Sequence, residues 1–241
     1  LNDEIGELTN SFNQMALELK AERIKSLGSL IDGQETERQR LSRELHDSLG
    51  QSLIGLKLRY ESCINRSEIN AAEQKNFTEL ALLFDNTIEE TRRISNNLMP
   101  AALKEFGLFS AIRHLCNEIA ESSKITIHLE VNGKDHQLND KVKTYVFRLT
   151  QEAITNILKH SQAQEAWISI HINTFKIELQ FKDDGIGFSM EDSIKFTSNG
   201  INNMKDRVKL LSGNIDIRSA QQKGTEINIS IPINKTENES D

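Results

Sequence analysis

Asp183-Asp184-Gly185-Ile186-Gly187-Phe188 follows directly on a segment in which Ile177, Leu179 and Phe181 alternate with polar residues. Alternation of that kind predicts a half-buried strand. Glycines at its end let the backbone turn sharply and approach a ligand closely. Taken alone, such a loop is also what an ordinary strand end looks like, so its neighbours decide. Upstream, Ala166 to Ile172 alternates in the same way, and so does Lys124 to Val131 through Ile125, Ile127, Leu129 and Val131. Between these lies Asp140 to His160, with Val142, Val146, Leu149, Ala153 and Ile157 at helical spacing, and Phe109 to Ala120 reads as a short amphipathic helix. Downstream, a loop-rich stretch to Asn199 leads into a helix striped by Ile201, Met204, Val208 and Leu211. Two strands close the pattern, Ile215-Ile217 and Ile227-Ile229-Ile231, joined through Gln222-Lys223-Gly224 and ended by Pro232. The sum is an α+β sandwich, one mixed sheet covered by about three helices.

Polar residues gather at matching places on this sandwich. Glu152, Asn156 and Lys159 fall at i, i+4 and i+7 on the face opposite the buried one, with His160 at the end of the group. A carboxylate, an amide oxygen and a cation suit Mg²⁺ held against phosphate oxygens, although a solvated helix face shows the same spacing. Asn199-Gly200 opens the next helix, whose free N–H groups are an anion site. Gly224-Thr225 stands at the start of the last strand. No G-x-x-x-x-G-K-[ST] segment exists, and Gly185-x-Gly187 lacks the third glycine of a dinucleotide fingerprint. The order of Asn-bearing helix, Asp-x-Gly-x-Gly loop, Gly-led helix and Gly-Thr strand is far more specific than any member.

The first hundred residues have another character. Ile5, Leu8, Phe12, Met15 and Leu19 are spaced 3-4-3-4, an a/d seam of a coiled coil or parallel bundle. The seam weakens around Gly28 and Gly33, and Asp32 followed by Glu35 reads as a restart. A second helix carries Leu41, Leu45, Leu49, Leu53, Leu56 and Tyr60 and should fade near Asn65-Arg66-Ser67. A third runs from about Glu73 to Leu98 with Phe77, Leu80, Phe84, Ile88, Thr91, Ser95 and Leu98 on one stripe, ended by Met99-Pro100. Two long helices with narrow apolar stripes bury both by dimerising into a four-helix bundle; an intramolecular hairpin is the alternative. Within Glu37 to Gln51, His46 sits one residue off the seam, beside it and not inside it. Asp47 and Gln51, four apart, share a face. A neutral imidazole flanked by a carboxylate is an activated nucleophile.

Length and composition fit two domains. The chain has 241 residues, 27% of them charged, and a net charge of −7. With Lys and Arg spread evenly, neither nucleic acid nor an anionic lipid surface is the expected partner. The two cysteines, Cys63 and Cys116, have no metal spacing and define no disulfide framework. No apolar run of about 18 residues and no signal peptide occurs. The opening on Leu1 in mid-helix pattern reads as a fragment of a longer protein.

With these residues in view, the chain resembles the cytoplasmic part of a two-component sensor histidine kinase, of the subfamily whose phosphoacceptor helix carries H-D-x-x-x-Q or H-D-x-x-x-N, as in nitrate and membrane-fluidity sensors. Gln151 to His160 is similar to the N box and Asp183 to Phe188 to the D-x-G-x-G-F box. Gly200-Ile201-Asn202-Asn203-Met204 matches the next glycine box, and Gly224-Thr225 the last. Asp3 to Leu8 through Phe12 to Met15 resembles the end of a HAMP relay module. The resemblance divides the chain into a HAMP-like end and coiled coil (1–26), a dimerisation and phosphotransfer hairpin (27–103), a Bergerat-type ATP-binding domain (104–234) and a polar tail (235–241). It implies ATP and Mg²⁺ as cofactors, with Asn156 on the metal and Lys159 and His160 near the phosphates. Asp183 would meet the adenine amino group, supported by Thr225, and Gly185, Gly187 and Gly200 would shape the pocket and a lid over 189–199. The γ-phosphoryl would pass to His46, with Asp47 or Glu152 as orienting base, and then to an aspartate of a response regulator. Gln51 would position water for dephosphorylation of that regulator, giving a kinase and phosphatase in one homodimer. A membrane-spanning sensory region upstream, on a bacterial plasma membrane, completes the expectation. An ATP-driven conformational clamp would share the pocket but lack the His46-Asp47 helix, and a degenerate scaffold would lack the pocket's polar residues.

Overall fold

The structure, a computed structural model, describes residues 4–64, 71–99, 101–189 and 199–233. The fade at Asn65-Arg66-Ser67, Pro100, nearly all of the lid segment and the polar tail lie outside them. The chain forms two compact units, Leu1–Ala101 and Ala102–Asp241.

In the first unit, helix α1 (Glu4–Glu44) runs into a six-residue π-helical segment, Leu45–Gly50, and on into α2 (Gln51–Ile64); α3 (Ala71–Leu98) packs against them. The break expected between Gly28 and Gly33 does not occur. A glycine inside a helix costs about 1 kcal/mol relative to alanine, and the burial of Ile31 between the two glycines, worth about 1.5–3 kcal/mol, outweighs it. The π segment changes the register of everything after it. A turn with i→i+5 bonding holds an extra residue, so the inward stripe steps from Leu45 to Gly50 and then to Leu53, Lys57, Tyr60 and Ile64. Leu49 and Leu56, expected in that stripe, are instead exposed at 46% and 54%. Facing them from α3 come Phe77, Ala81, Phe84, Ile88, Thr91 and Ser95; Leu80, expected among these, points outward. Tyr60 sets its ring against Phe77 and Phe84 and donates its hydroxyl to the Phe77 carbonyl. At the other end, Ser42 and Ser95 are buried together, their hydroxyls 3.0 Å apart; Ser95 also donates to the Ser42 carbonyl.

The second unit is one five-stranded mixed sheet with helices on one face. Its elements are α4 (Ala101–Glu105), α5 (Gly107–Ser122), β1 (Thr126–Asn132), α6 (Asp140–Asn156) with a π turn at Ile157–Ser161, β2 (Glu165–Ile172), β3 (Lys176–Asp183), α7 (Asn199–Leu210), β4 (Asn214–Ser219) and β5 (Thr225–Pro232). Strand order is β1-β2-β3-β5-β4, with β1 and β2 parallel and every other pair antiparallel. Period-two alternation sends Ala166, Ile168, Ile170, Ile177, Leu179, Phe181, Ile227, Ile229 and Ile231 into the core. They meet Leu108, Ile112 and Cys116 of α5, Tyr145, Val146, Leu149 and Ala153 of α6, and Met204 and Val208 of α7, all buried. The opposite face is polar, as one solvated side of a largely antiparallel sheet should be. Asn139 caps α6 by accepting the Val142 N–H at 2.8 Å, and Gln162, at φ +54°, ends the π turn. The α+β reading and its single mixed sheet correspond to what is seen.

Candidate functional site: a cavity beside the sheet and an exposed histidine

The end of α6 faces the sheet with one stripe, Ala153, Asn156, Ile157, His160 and Ser161. Opposite it stand Phe181 and Asp183 of β3, Ile217 of β4, and Thr225 and Ile227 of β5. Gly187, Phe188 and Ile201 close the sides of a cavity of about 380 Å³, within the size range of small-molecule sites. The walls are mostly apolar, with a few polar groups at fixed points.

Asp183 is the best fixed of these. It is 5% exposed, its Oδ1 accepts the Gly185 N–H at 2.9 Å, and the Thr225 N–H also donates to its carboxyl. Burial pushes its pKa above the ordinary carboxylate value, the two N–H donors oppose that, and the nearby charge of Asp184 adds to it. The loop after Asp183 approaches its surroundings so closely that side chains are excluded. A Cβ on Gly185 would lie 2.2 Å from the Ser161 carbonyl oxygen, and one on Gly224 (φ +71°) 1.9 Å from the Asp183 carbonyl oxygen. The Ile186 N–H donates to the Ser161 carbonyl at 2.7 Å, which ties this loop to the π turn of α6.

The structure therefore brings Asn156, His160, Asp183, Gly187 and Thr225 around one cavity. Gly185 lies behind its wall. Gly200 lies at the start of α7, where an added Cβ would fall 2.0 Å from Glu152 Oε1 and 3.6 Å from Asn156 Oδ1. That places Glu152 and Asn156 together beneath the α7 N-terminus. Lys159 is exposed and outside the lining. Sequence reasoning missed the apolar walls, Ala153, Ile157, Ile217 and Ile227, because their spacing is the same as that of ordinary core.

In the other unit, His46 and Asp47 lie within the π segment, exposed at 71% and 67%, with His46 Nδ1 3.0 Å from Asp47 Oδ1. An ionised Asp47 is an acceptor, so this contact favours the tautomer with its proton on Nδ1 and leaves the Nε2 lone pair outward. Gln51 is exposed at the first position of α2. Among the described residues no cluster of three or more His, Cys, Asp or Glu is arranged to hold a metal, and no helix is long and apolar enough to cross a membrane.

A helical hairpin presenting an exposed histidine, joined to an α/β unit with a polar-floored cavity, defines a class of two-part kinase. Comparison with known proteins agrees at both ends of the chain. The histidine kinase family matches residues 37–103, and the family of histidine kinase-, DNA gyrase B- and HSP90-like ATPases matches residues 140–235. The chain belongs to the sensor histidine kinases. The oxygen sensor histidine kinase NreB of Staphylococcus carnosus is 29% identical over 214 residues, 87% of this chain and 60% of that protein. The sensor histidine kinase LiaS of Bacillus subtilis is 29% identical over 100% of this chain and 70% of its own length. The signal transduction histidine-protein kinase/phosphatase DegS of Brevibacillus brevis is 32% identical over 95% and 60%. The chain thus spans about 60–70% of the length of these relatives.

Proposed function

We propose that this chain binds ATP in the cavity of its second unit, transfers the γ-phosphoryl to Nε2 of His46, and passes it on to an aspartate of a response regulator. The observation that carries the reading is the exposed His46 imidazole held through Nδ1 by Asp47. Phosphoryl transfer needs alignment and charge neutralisation more than covalent assistance from the protein. Asp47 fixes the ring's tautomer and stabilises the cation that forms at the imidazole. Its contact with His46 favours it over Glu152 as the orienting base.

In the second unit, Asp183 is the acceptor for the adenine amino group, with Thr225 beside it, and Gly185 and Gly187 give the loop its close approach. The α7 N-terminus at Gly200, with Lys159 and His160, serves the phosphates. Mg²⁺ bound with the nucleotide would neutralise phosphate charge. The donor set fits it: Asn156 offers a hard amide oxygen, and Mg²⁺ takes few protein ligands while keeping water and phosphate oxygens.

A homodimer is part of the proposal. Leu49 in the π segment, Ile54, Leu56 and Leu58 on α2 and Leu80, Leu83 and Ile94 on α3 are all more than 40% exposed. Two such hairpins bury those faces in a four-helix bundle. Leu8, Phe12, Met15 and Leu19 are 51–71% exposed and extend the seam as a coiled coil. The HAMP-like character of that segment supports a place on the cytoplasmic side of a membrane.

Gln51 supports a second activity, hydrolysis of the regulator's aspartyl phosphate by a water held at its amide; the name of the Brevibacillus relative includes a phosphatase. The test is a chase: the chain labelled from γ-labelled ATP is mixed with a receiver domain. Label leaving the chain and appearing on the receiver supports the reading. A Gln51→Ala variant should keep that transfer but slow the receiver's subsequent dephosphorylation. Loss of receiver label at the wild-type rate would remove the role of Gln51.

A further inference from the structure

Ser219 is the last residue of β4, and nothing in its sequence position marks it. Its hydroxyl meets three groups on two segments of the cavity wall at once. It accepts the Phe188 N–H at 2.9 Å, donates to the Gly224 carbonyl at 3.0 Å, and lies 3.0 Å from the Thr225 hydroxyl. Proton counting assigns the directions. A serine hydroxyl has one proton and two lone pairs. Gly224 offers only a carbonyl, so it takes the Ser219 proton, and Thr225 must donate its own proton to Ser219. Ser219 is then fully used, with one bond given and two accepted. Thr225, which lines the cavity, has spent its proton and presents only lone pairs to a ligand.

These partners belong to two segments, the loop at Gly187-Phe188 and the start of β5 at Gly224-Thr225. Gly187 and Phe188 lie in irregular chain between β3 and the lid segment. A Cβ on Gly187 would fall 2.2 Å from the Ala220 carbonyl oxygen and 2.6 Å from that of Gly224. The loop is therefore pressed onto the β4–β5 turn without a side chain of its own to hold it. The Gln222 N–H donates to the Ile186 carbonyl at 2.6 Å, and Ser219 supplies the matching tie on the other side of the glycine.

We propose that Ser219 is a positioning residue for the nucleotide. Its hydroxyl clasps the Gly187-Phe188 loop to the Gly224-Thr225 strand start and sets Thr225 as an acceptor beside Asp183. The proposal rests on the reading of this cavity as the nucleotide site. Ser219 touches the wall at the Asp183 end, away from Asn156 and Gly200, which serve Mg²⁺ and the phosphates in that reading. Its loss therefore weakens binding and leaves the transfer step intact.

The experiment measures Mg²⁺·ADP and Mg²⁺·ATP affinity by titration calorimetry, together with the rate of labelling at saturating ATP, in the whole chain. In Ser219→Ala the Phe188 N–H and the Thr225 hydroxyl each lose a partner, and the expected result is an affinity loss of about tenfold or more. KM for ATP should rise in proportion, with the saturated rate within about twofold of wild type. Ser219→Thr keeps the hydroxyl and should restore most of the affinity, which a general loosening of the fold would not allow. An undiminished affinity in Ser219→Ala overturns the inference, as does a fall in saturated rate at unchanged affinity, or a Ser219→Thr chain that binds as poorly as Ser219→Ala. If the wild-type chain binds no adenine nucleotide, the nucleotide reading itself fails and takes this inference with it. Binding by wild type that Ser219→Ala leaves unaltered refutes the inference alone.

Discussion

Gly185→Ala tests how the cavity is built. Gly185 is buried, and a methyl group on it would lie 2.2 Å from the Ser161 oxygen, 2.7 Å from Ser161 Cβ and 2.8 Å from its carbonyl carbon. The neighbours are backbone and cannot swing aside as a long side chain does. Ordinary contact begins near 3.4 Å, so the loop and the π turn must separate by roughly 1 Å. That movement breaks the Ile186 N–H to Ser161 carbonyl bond. Overpacking of this kind costs about 1–3 kcal/mol, and the lost hydrogen bond about 1 kcal/mol. For a unit of this size the sum lowers the melting temperature by roughly 6–12 °C. The same movement pulls His160 and Ser161 away from Asp183 across the cavity, so nucleotide affinity should fall by about tenfold or more. Gly33→Ala is the internal control, since Gly33 lies exposed in α1 with nothing within 4 Å of its added methyl. There the helix should gain about 0.5–1 kcal/mol. Thermal melts followed by circular dichroism, with and without saturating Mg²⁺·ADP, give both quantities. Wild type should gain about 2.7 kcal/mol at a hundredfold excess over its Kd, and Gly185→Ala about 1.4 kcal/mol or less at the same concentration. A Gly185→Ala chain with wild-type melting temperature and wild-type nucleotide shift would refute the packing argument.

Other perturbations bear on separate parts of the account. Asp183→Asn keeps the shape and one acceptor but removes the charge, so nucleotide affinity should drop by about tenfold to a hundredfold, measured by the same titration. Its stability should move the other way at neutral pH. Because burial raises the folded pKa of Asp183 above its ordinary 3.8, stability linked to this group is full below that value. It falls as pH rises through the raised pKa and stays flat above it. Asp183→Asn should abolish that fall, and pH-dependent melts of the two proteins would show it. In the helical unit, Ser95→Ala removes the bond to the Ser42 carbonyl and the hydroxyl pair, but leaves the Ser42 hydroxyl the Ser95 and Met99 carbonyls, so it should cost about 1 kcal/mol, while the Ser42→Ala/Ser95→Ala pair should cost less than the sum of the single changes. Chemical denaturation of the three variants gives the coupling, and strict additivity would mean that the hydroxyls do not act together.

Much of this structure was legible from two periodicities. Alternation placed all five strands to within two residues, and the helical stripes placed α3, α5, α6 and α7 nearly as well. What stayed hidden has physical reasons. The π segment at Leu45–Gly50 leaves no mark in a leucine pattern that reads smoothly through Leu45 and Leu49, yet it decides which leucines face inward. Gly28 and Gly33 look like a break because glycine is a weak helix former; the burial of Ile31 between them, which overrides it, is not marked in the sequence. In the cavity, the polar residues Asp183 and Thr225 stand out in the sequence because they interrupt apolar stripes, whereas Ile157, Ile217 and Ile227 continue those stripes and are indistinguishable from core. Ser219 is a serine at a strand end until the fold sets it against three backbone and hydroxyl partners that are 5 to 31 residues away.

The central claim is that His46 receives the phosphoryl group. Incubation of the whole chain with γ-labelled ATP and Mg²⁺, followed by acid and alkali treatment and by the same assay on His46→Gln, tests it most directly. The account predicts a label that is lost in acid and kept in alkali, present on wild type and absent from His46→Gln. Label retained on His46→Gln, or a wild-type label that survives acid, would contradict it.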